Sequence, residues 1–551
     1  MTSIRRISAR CGLGLLAAVT SAVVLEAQVP IPAPPQRGPI ALQGATIHTV
    51  TNGVIEHGTI VFNGGLITAV GTDVDVPAGA RVIDVTGKHI YPGLIDAYSQ
   101  VGISEIGSVD VTHDTDELGG FNPNARPDVA VNPESRHIGT SRTNGVLVTL
   151  TTPSGGLIPG LSSAMNLDGW TWEEMTLSSA AALNVDWPNA IDADEYDEIV
   201  RELRDYFAEA RAYRDARAAG GFVAFDSRFE AMIRALDGQI PVVVSADGVL
   251  QIQDAIRWAE DQGVRLVIRG GGDAIHVADH LAEKQIPVIL TATMSPPARS
   301  WEPYDGAYAR AAVLHERGVR IAISGGSSAA YTNRLPYEAG VAVAFGLPEE
   351  EALRAVTINP AQFMGIADWV GSLEPGKDAT LLITTGSPLD YLTDIEQGYI
   401  EGREIDMRDI HPLRALATSF SSASTSARRR SGTRPWSDRT RPAPLPERED
   451  EAHVLPSLRV FSQCPVLTAR PGESMGQNAV PVDPLCTDRA GGCRACPPAP
   501  DRRRPRGRRL AAGPTACARR APSNAARRPG RMNRGPRGAT SLASTGSARD
   551  R

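Results

Sequence analysis

Residues 239–272 have the sequence QIPVVVSADGVLQIQDAIRWAEDQGVRLVIRGGG, in which two apolar runs enclose a helix-like segment. The runs Gln239–Ser245 and Val264–Ile268 are short and rich in Val and Ile, as expected for strands buried on both faces. Between them, the segment around Asp254–Gln262 has the apolar spacing of an amphipathic helix. A strand, a helix and a second strand in this order predict a parallel sheet covered by helices.

The same alternation continues along the chain. Further predicted elements are a helix at Asp273–Glu283, a strand at Ile286–Thr291 before a Pro-rich loop, and a strand at Val319–Ser324. From 93 to 366 the chain has the length of a (β/α)8 barrel, which typically takes about 250 residues. The charged segment Glu195–Ala219 is predicted to be one long helix inserted in that barrel. A doubly wound sheet is the structural alternative.

Short strands flank the barrel-like region on both sides. In Ile40–Ile90, runs of Val, Ile and Thr alternate with turn pairs such as Asn52-Gly53 and Asn63-Gly64. A second segment of short strands, Gly371–Ile405, follows the barrel-like region.

Five motifs are spread along this part of the chain, namely Gly87–Asp96, Arg142–Val146, Leu335–Gly340, Ala352–Ala361 and Gly371–Ala379. Together they resemble the amidohydrolase superfamily, specifically its imidazolonepropionase-like and prolidase-like exported members. The resemblance covers roughly residues 40–408 and implies an α/β fold with two parts. Residues 93–366 would form a TIM-like barrel, and residues 40–92 with 367–408 would form a small composite β-sandwich.

The resemblance also implies a chemistry, hydrolysis of amide-like or cyclic C–N bonds by one or two divalent metals, Zn²⁺ by default, at the barrel mouth. A His-x-His pair at the end of the first strand can coordinate one ion, because alternate residues of a strand point to the same side. The bound water then has its pKa lowered toward about 7. An Asp at the end of the last strand serves as general base and further ligand.

This sequence lacks those groups at the matching positions. Tyr98 and Gln100 stand in place of the His pair, Ser245 in place of a later His, and Gly325 in the segment of the catalytic Asp. Arg269, followed by three Gly, begins the next segment, where many members carry His. A phenol and a neutral amide are poor substitutes for imidazoles. We therefore assign no catalytic residue and expect no metal site and no cofactor.

An acidic loop is the candidate replacement site. It contains Asp110, His113, Asp114, Asp116 and Glu117, and as the first loop after a barrel strand it would lie at the mouth. The alternatives are a solvated acidic loop and a remodelled cation or substrate site.

Two other features indicate structure rather than chemistry. His276 and His280 have metal-ligand spacing but fall on a helix outside the barrel. Trp170 and Trp172 are expected to be packing residues.

The N-terminus is predicted to be a secretory signal peptide over residues 1–28, followed by a Pro-rich linker over 29–39. Arg5, Arg6 and Arg10 precede a short apolar stretch, Leu13–Leu25, that is too short for a convincing membrane span. Residues 29–410 contain no Cys, which excludes disulfides and thiolate metal sites from that part. We expect an exported protein, periplasmic or secreted.

The C-terminal 141 residues differ in composition from the rest. Residues 411–551 hold 27 Arg, no Lys and 10 Asp plus Glu, a formal charge of +17, whereas residues 1–410 have a balance of -24. The segment has no Ile or Tyr and no apolar periodicity, which predicts a disordered tail. A frameshifted end and a genuine disordered extension are the two explanations.

The sequence therefore leaves two function classes open. One is an exported amidohydrolase acting through a remodelled site on a small amide, peptide or cyclic urea-like molecule. The other is a catalytically inactive binding protein, or a partner subunit of an active paralogue. A homo-oligomer is possible, and neither a nucleic acid partner nor a membrane span is expected.

Overall fold

A computed structural model describes residues 31–189, 193–220, 222–291 and 293–407. The predicted signal peptide and Arg-rich tail lie outside these residues and stay predictions. In the described residues, no helix is both long enough and apolar enough to cross a bilayer.

The small domain is one mixed eight-stranded sheet. Its strands come from both ends of the described chain and are β1 Ile40–His48, β2 Val54–Asn63, β3 Leu66–Gly71, β4 Arg81–Asp84, β5 His89–Pro92, β14 Leu381–Thr384, β15 Ile395–Ile400 and β16 Arg403–Ile405. The order is β16-β15-β14-β5-β1-β2-β3, with β4 also paired to β1. Because β14 pairs with β5, the later segment does join the earlier one. Residues such as Leu42, Phe62 and Tyr399 form its buried core.

The larger domain is a nearly closed barrel of eight strands. They are β6 Leu94–Ser99, β7 Val146–Thr151, β8 Gly160–Asn166, β9 Thr176–Asp186, β10 Val242–Ala246, β11 Leu266–Gly270, β12 Val288–Leu290 and β13 Ile321–Ile323. They follow one another in chain order across the sheet, and β13 lies against β6. The predicted fold class, an α/β barrel with an added β domain, is confirmed.

One strand departs from the parallel pattern. β8 is antiparallel to both β7 and β9. The connection from Thr151 to Gly160 leaves eight residues between the strands, and a parallel crossover needs about a dozen or more. The chain therefore turns back directly in this part of the barrel.

The helices cover the outside of the barrel. They are α1 Arg136–Thr143, α2 Trp172–Met175, α3 Ala193–Ala218, α4 Ser227–Leu236, α5 Val249–Gln262, α6 Ala278–Glu283, α7 Gly306–Glu316, α8 Leu335–Ala344, α9 Glu349–Ala355 and α10 Ile358–Phe363. The long charged helix is confirmed as α3. The helix predicted over Asp273–Glu283 is shorter, because Ala274–Val277 forms a 3₁₀ turn before α6.

A buried ionic cluster ties three distant segments together. Asp168, which follows β8, accepts from Arg142 of α1 at 2.6 Å and pairs with Arg403 of β16 at 3.0 Å. It also accepts from the backbone N–H of Ala33 at 3.2 Å. The Asp168 side chain is 1% exposed and that of Arg142 is 3% exposed. The linker, the barrel and the last strand of the small domain thus meet at one carboxylate.

Candidate functional site

The barrel mouth is formed where the parallel strands end. Val243 and Val267 belong to the buried cluster inside the barrel. Because side chains alternate along a strand, the next interior positions on β10 and β11 are Ser245 and Arg269. Ser245 pairs in register with Arg269 on one side and with Asp186 of β9 on the other. Three polar side chains therefore stand side by side across neighbouring strands.

Arg269 is the charged centre of this group, and its side chain is 5% exposed. The guanidinium donates to an Asp186 carboxylate oxygen at 2.7 Å and to the Asn184 side-chain oxygen at 3.2 Å. Its central carbon lies 4.1 Å from the ring centroid of Tyr98, which is a cation–π distance. One face and two donors of the guanidinium are thus occupied by the protein itself.

The polar network continues into the barrel wall. Asn184 donates to the Ser162 hydroxyl at 2.9 Å and to the backbone oxygen of Gly160 at 3.1 Å. Ser162 and Thr152 share a hydrogen bond of 2.8 Å. These buried partners hold Asn184, and through it the guanidinium of Arg269, in one orientation.

A second polar group lies at the end of β6. Asp96 is fully buried, and its Oδ1 accepts from the Ser324 hydroxyl at 2.7 Å, from Tyr98 N–H at 3.2 Å and from Gly325 N–H at 3.3 Å. Burial raises the pKa of Asp96 to about 7, although these hydrogen bonds lower it. Burial also raises the pKa of Asp186, and the charge of Arg269 opposes that shift.

The structure places the four substituted positions as follows. Tyr98 and Ser245 come together around Arg269. Gln100 instead donates to the Ser154 hydroxyl at 3.1 Å, in the connection after β7. A Cβ atom built on Gly325 would lie 2.5 Å from the carbonyl oxygen of Tyr331. A side chain such as Asp at position 325 would therefore collide with the backbone.

This residue set does not fit a divalent metal ion. Arg269 brings a positive charge to the mouth, and at an effective dielectric constant of about 20 a divalent ion about 5 Å from it would be repelled by roughly 7 kcal/mol. Tyr98, Gln100 and Ser245 supply no imidazole. Within the described ranges, no group of three or more His, Cys, Asp and Glu is arranged to hold a metal.

The acidic loop follows β6 but does not gather its side chains into one site. Asp110, Asp114, Asp116 and Glu117 are exposed, and the His113 ring nitrogen Nε2 contacts the backbone oxygen of Ile106 at 3.0 Å. Three of the carboxylates line an open cavity of about 390 Å³ together with residues 124–127, Val129 and Ala130. The loop therefore has the form of a solvated acidic rim, and its proposed role as a cation or substrate site stays untested.

The remaining sequence features have structural explanations. His276 and His280 are both exposed and lie on different turns, the first in the 3₁₀ segment and the second in α6. Trp172 packs against the core, as expected. Trp170 is 65% exposed, so its prediction as a packing residue is wrong.

Sequence reasoning missed the partners of Arg269. Asn184 and Asp186 are separated by one residue at the end of β9, so both point into the barrel. That spacing of two polar residues at the end of an apolar strand was the available signal. In the sequence, Asp96 was noted only as the last residue of the motif that precedes the substituted His pair.

Comparison with known proteins agrees with the geometry of the fold. Residues 202–406 match the amidohydrolase family. An amidohydrolase from Thermotoga maritima superposes with a TM-score of 0.60 and 27% identity, covering 67% of this chain and all of that one.

Two curated relatives show partial similarity in sequence. The amidohydrolase tasK of Hapsidospora irregularis is 24% identical over 395 residues, which is 63% of this chain and 39% of that protein. The imidazolonepropionase of Syntrophobacter fumaroxidans is 40% identical over 82 residues, 14% of this chain and 19% of that enzyme. The chain thus spans well under half the length of either relative.

Proposed function

The chain belongs to the amidohydrolase superfamily, and from that premise we propose that it is an exported member that binds a small amide, peptide or cyclic urea-like molecule at its barrel mouth without metal-dependent hydrolysis. The family relationship supports hydrolysis of carbon–nitrogen bonds as the activity of the lineage. The retained barrel supports a ligand site at the mouth, where proteins of this architecture build them.

One observation carries the proposal, the arrangement of Arg269, Asp186 and Tyr98. A metal-dependent hydrolase holds a divalent cation and its activated water in this part of the barrel. Here a guanidinium, already paired with a carboxylate and stacked on a phenol ring, fills it. Polar groups remain for a neutral ligand, because the Asp186 side chain is 33% exposed and Ser245 is half-buried beside it.

A hydrolase that uses the protein's own hydroxyl is the rival function. Asp96, with its raised pKa, lies at hydrogen-bond distance from the Ser324 hydroxyl, which is the pairing a base and a nucleophile require. Ser324 is, however, fully buried, and its hydroxyl is also within 2.7 Å of the backbone oxygen of Tyr98. A substrate carbonyl has no direct approach to it in this arrangement, so binding without turnover is the better-supported function.

The test combines metal analysis with a ligand panel. The exported protein, purified and dialysed, should contain well under one Zn²⁺ per chain, and chelator should leave its melting temperature unchanged. Calorimetry against small amides, dipeptides and cyclic ureas should identify a ligand that is recovered intact after prolonged incubation.

Two variants locate the binding. Ser245→Phe should abolish it by filling the space in front of Ser245, beside the Asp186–Arg269 pair, whereas Ser108→Phe, on an exposed loop, should not affect it. Stoichiometric Zn²⁺ together with chelator-sensitive hydrolysis would refute the proposal. Hydrolysis that persists in chelator and is lost in Ser324→Ala would favour the rival.

A further inference from the structure

We propose that Arg269 is the resident cation of the barrel mouth, a built-in replacement for a metal ion, which occupies a cation site that other cations can enter once the side chain is removed. This goes beyond the proposed function, because it concerns the origin of the site's selectivity and not the ligand that the site binds.

The contacts of Arg269 are those of a bound cation rather than of a surface arginine. Its positive charge is nearly enclosed and meets Asp186 at 2.7 Å, the Asn184 oxygen at 3.2 Å and the face of Tyr98 at 4.1 Å. A carboxylate, an amide oxygen and an aromatic face are all groups that attract positive charge. The protein thus presents a prepared set of electron-rich groups to the guanidinium.

Those groups are placed independently of Arg269. The side chain of Asn184 is held by Ser162 and by the backbone of Gly160, and the backbone from which the Tyr98 ring projects is held by hydrogen bonds with Asp96 and Ser324. The position of Asp186 is set by the pairing of β9 with β10, in which Asp186 lies opposite Ser245. Removing the Arg269 side chain should therefore leave a cavity beside an unpaired carboxylate that is only 33% exposed, which favours uptake of a cation.

Chemical rescue tests this in the full chain. Arg269→Ala should melt several degrees below wild type, because the partly buried Asp186 carboxylate loses its partner and a nearly enclosed side chain leaves a cavity. Millimolar methylguanidinium, or Mn²⁺ as a second probe, should raise the melting temperature of Arg269→Ala by about 2–4 °C and leave wild type unchanged. The neutral isostere N-methylurea should have no effect at the same concentration.

Three matched variants separate the charge from the shape of the side chain. Arg269→Lys keeps a cation and should need no rescue, and Arg269→Ala combined with Asp186→Asn should lose the response to both cations. Asp279→Asn, which removes a partner of the exposed Arg317, is a surface control and should not respond. If Arg269→Ala is insoluble, solubility should return in the Asp186→Asn background or when methylguanidinium is present during refolding.

Each result of the rescue experiment either supports or overturns the proposal. A response of Arg269→Ala to either cation that depends on Asp186 supports the proposal. Equal rescue by N-methylurea, a response that survives Asp186→Asn, no response to either cation, or an insoluble variant that neither route restores overturns it. A ligand panel without binders would count against the proposed function and leave this rescue result intact.

Discussion

Replacing Asp168 by Asn should destabilise the protein more than any surface change of the same kind. The substitution keeps the shape of the side chain but removes the negative charge shared by Arg142 and Arg403. Arg142, 3% exposed, would then remain buried without its hydrogen-bonded carboxylate and would keep only the weaker attraction of Asp406, and burial already lowers the pKa of its guanidinium.

The expected magnitude follows from that burial. Breaking a buried ion pair by removing one partner costs about 3–5 kcal/mol. The substitution breaks two ion pairs at once, those of Asp168 with Arg142 and with Arg403. Because both pairs use the same carboxylate, their separate costs do not add. We expect Asp168→Asn to lower the free energy of unfolding by about 4 kcal/mol, which corresponds to roughly 8 °C in melting temperature for a domain of this size.

Urea denaturation followed by circular dichroism provides the measurement, with Asp279→Asn as the control. Asp279 pairs with Arg317 at 2.9 Å, but its side chain is 82% exposed, so its loss should cost at most about 1 kcal/mol. Limited proteolysis should also cleave Asp168→Asn near Ala33, whose backbone N–H loses a charged acceptor. A loss below about 1 kcal/mol, no larger than that of the control, would refute the assignment of Asp168 as the shared anchor.

Three further predictions concern pH and the barrel mouth. Because burial raises the pKa of Asp96 to about 7, wild type should lose stability as the pH rises from about 4 to 7. Asp96→Asn should reduce the difference between the urea midpoints measured at pH 5 and pH 8, and an unchanged difference would contradict this prediction. Burial lowers the pKa of His48 to about 4, so stability should fall as the pH drops from about 6.5 to 4, and His48→Gln should remove this acid sensitivity in the same assay. Gly325→Asp should fold poorly or melt several degrees lower than Gly325→Ala, because both side chains collide with the Tyr331 carbonyl and only Asp adds a second carboxyl near Asp96. A Gly325→Asp protein that folds and gains hydrolytic activity on added Zn²⁺ would contradict this prediction.

Much of the fold could be predicted because it depends on local patterns. The alternation around Val242–Ala246 and α5 is carried by neighbouring residues, and so is the long helix α3. The antiparallel strand β8 was not anticipated, although the connection that precedes it is too short for a crossover. The pattern of apolar residues alone does not record strand direction.

The candidate site was predicted only as a set of substitutions. The positions of Tyr98 and Ser245 were identified, but the role of Arg269 depends on contacts with β6 and β9, which are distant in the chain. Which charged side chains meet across strands depends on the register of the strands and on how the barrel closes. Neither can be read from the residue types alone.

The anchoring of Ala33 and Arg403 to one carboxylate has a topological consequence. Nearby, the Gln36 side chain accepts from Gly65 N–H, and Gly402 packs closely against that same glutamine. The two ends of the described chain therefore emerge as neighbours on one side of the molecule. A short peptide could join residue 407 to residue 31, which makes this barrel a suitable scaffold for circular permutation, with new termini opened at an exposed turn such as the one at Ala78 and Gly79.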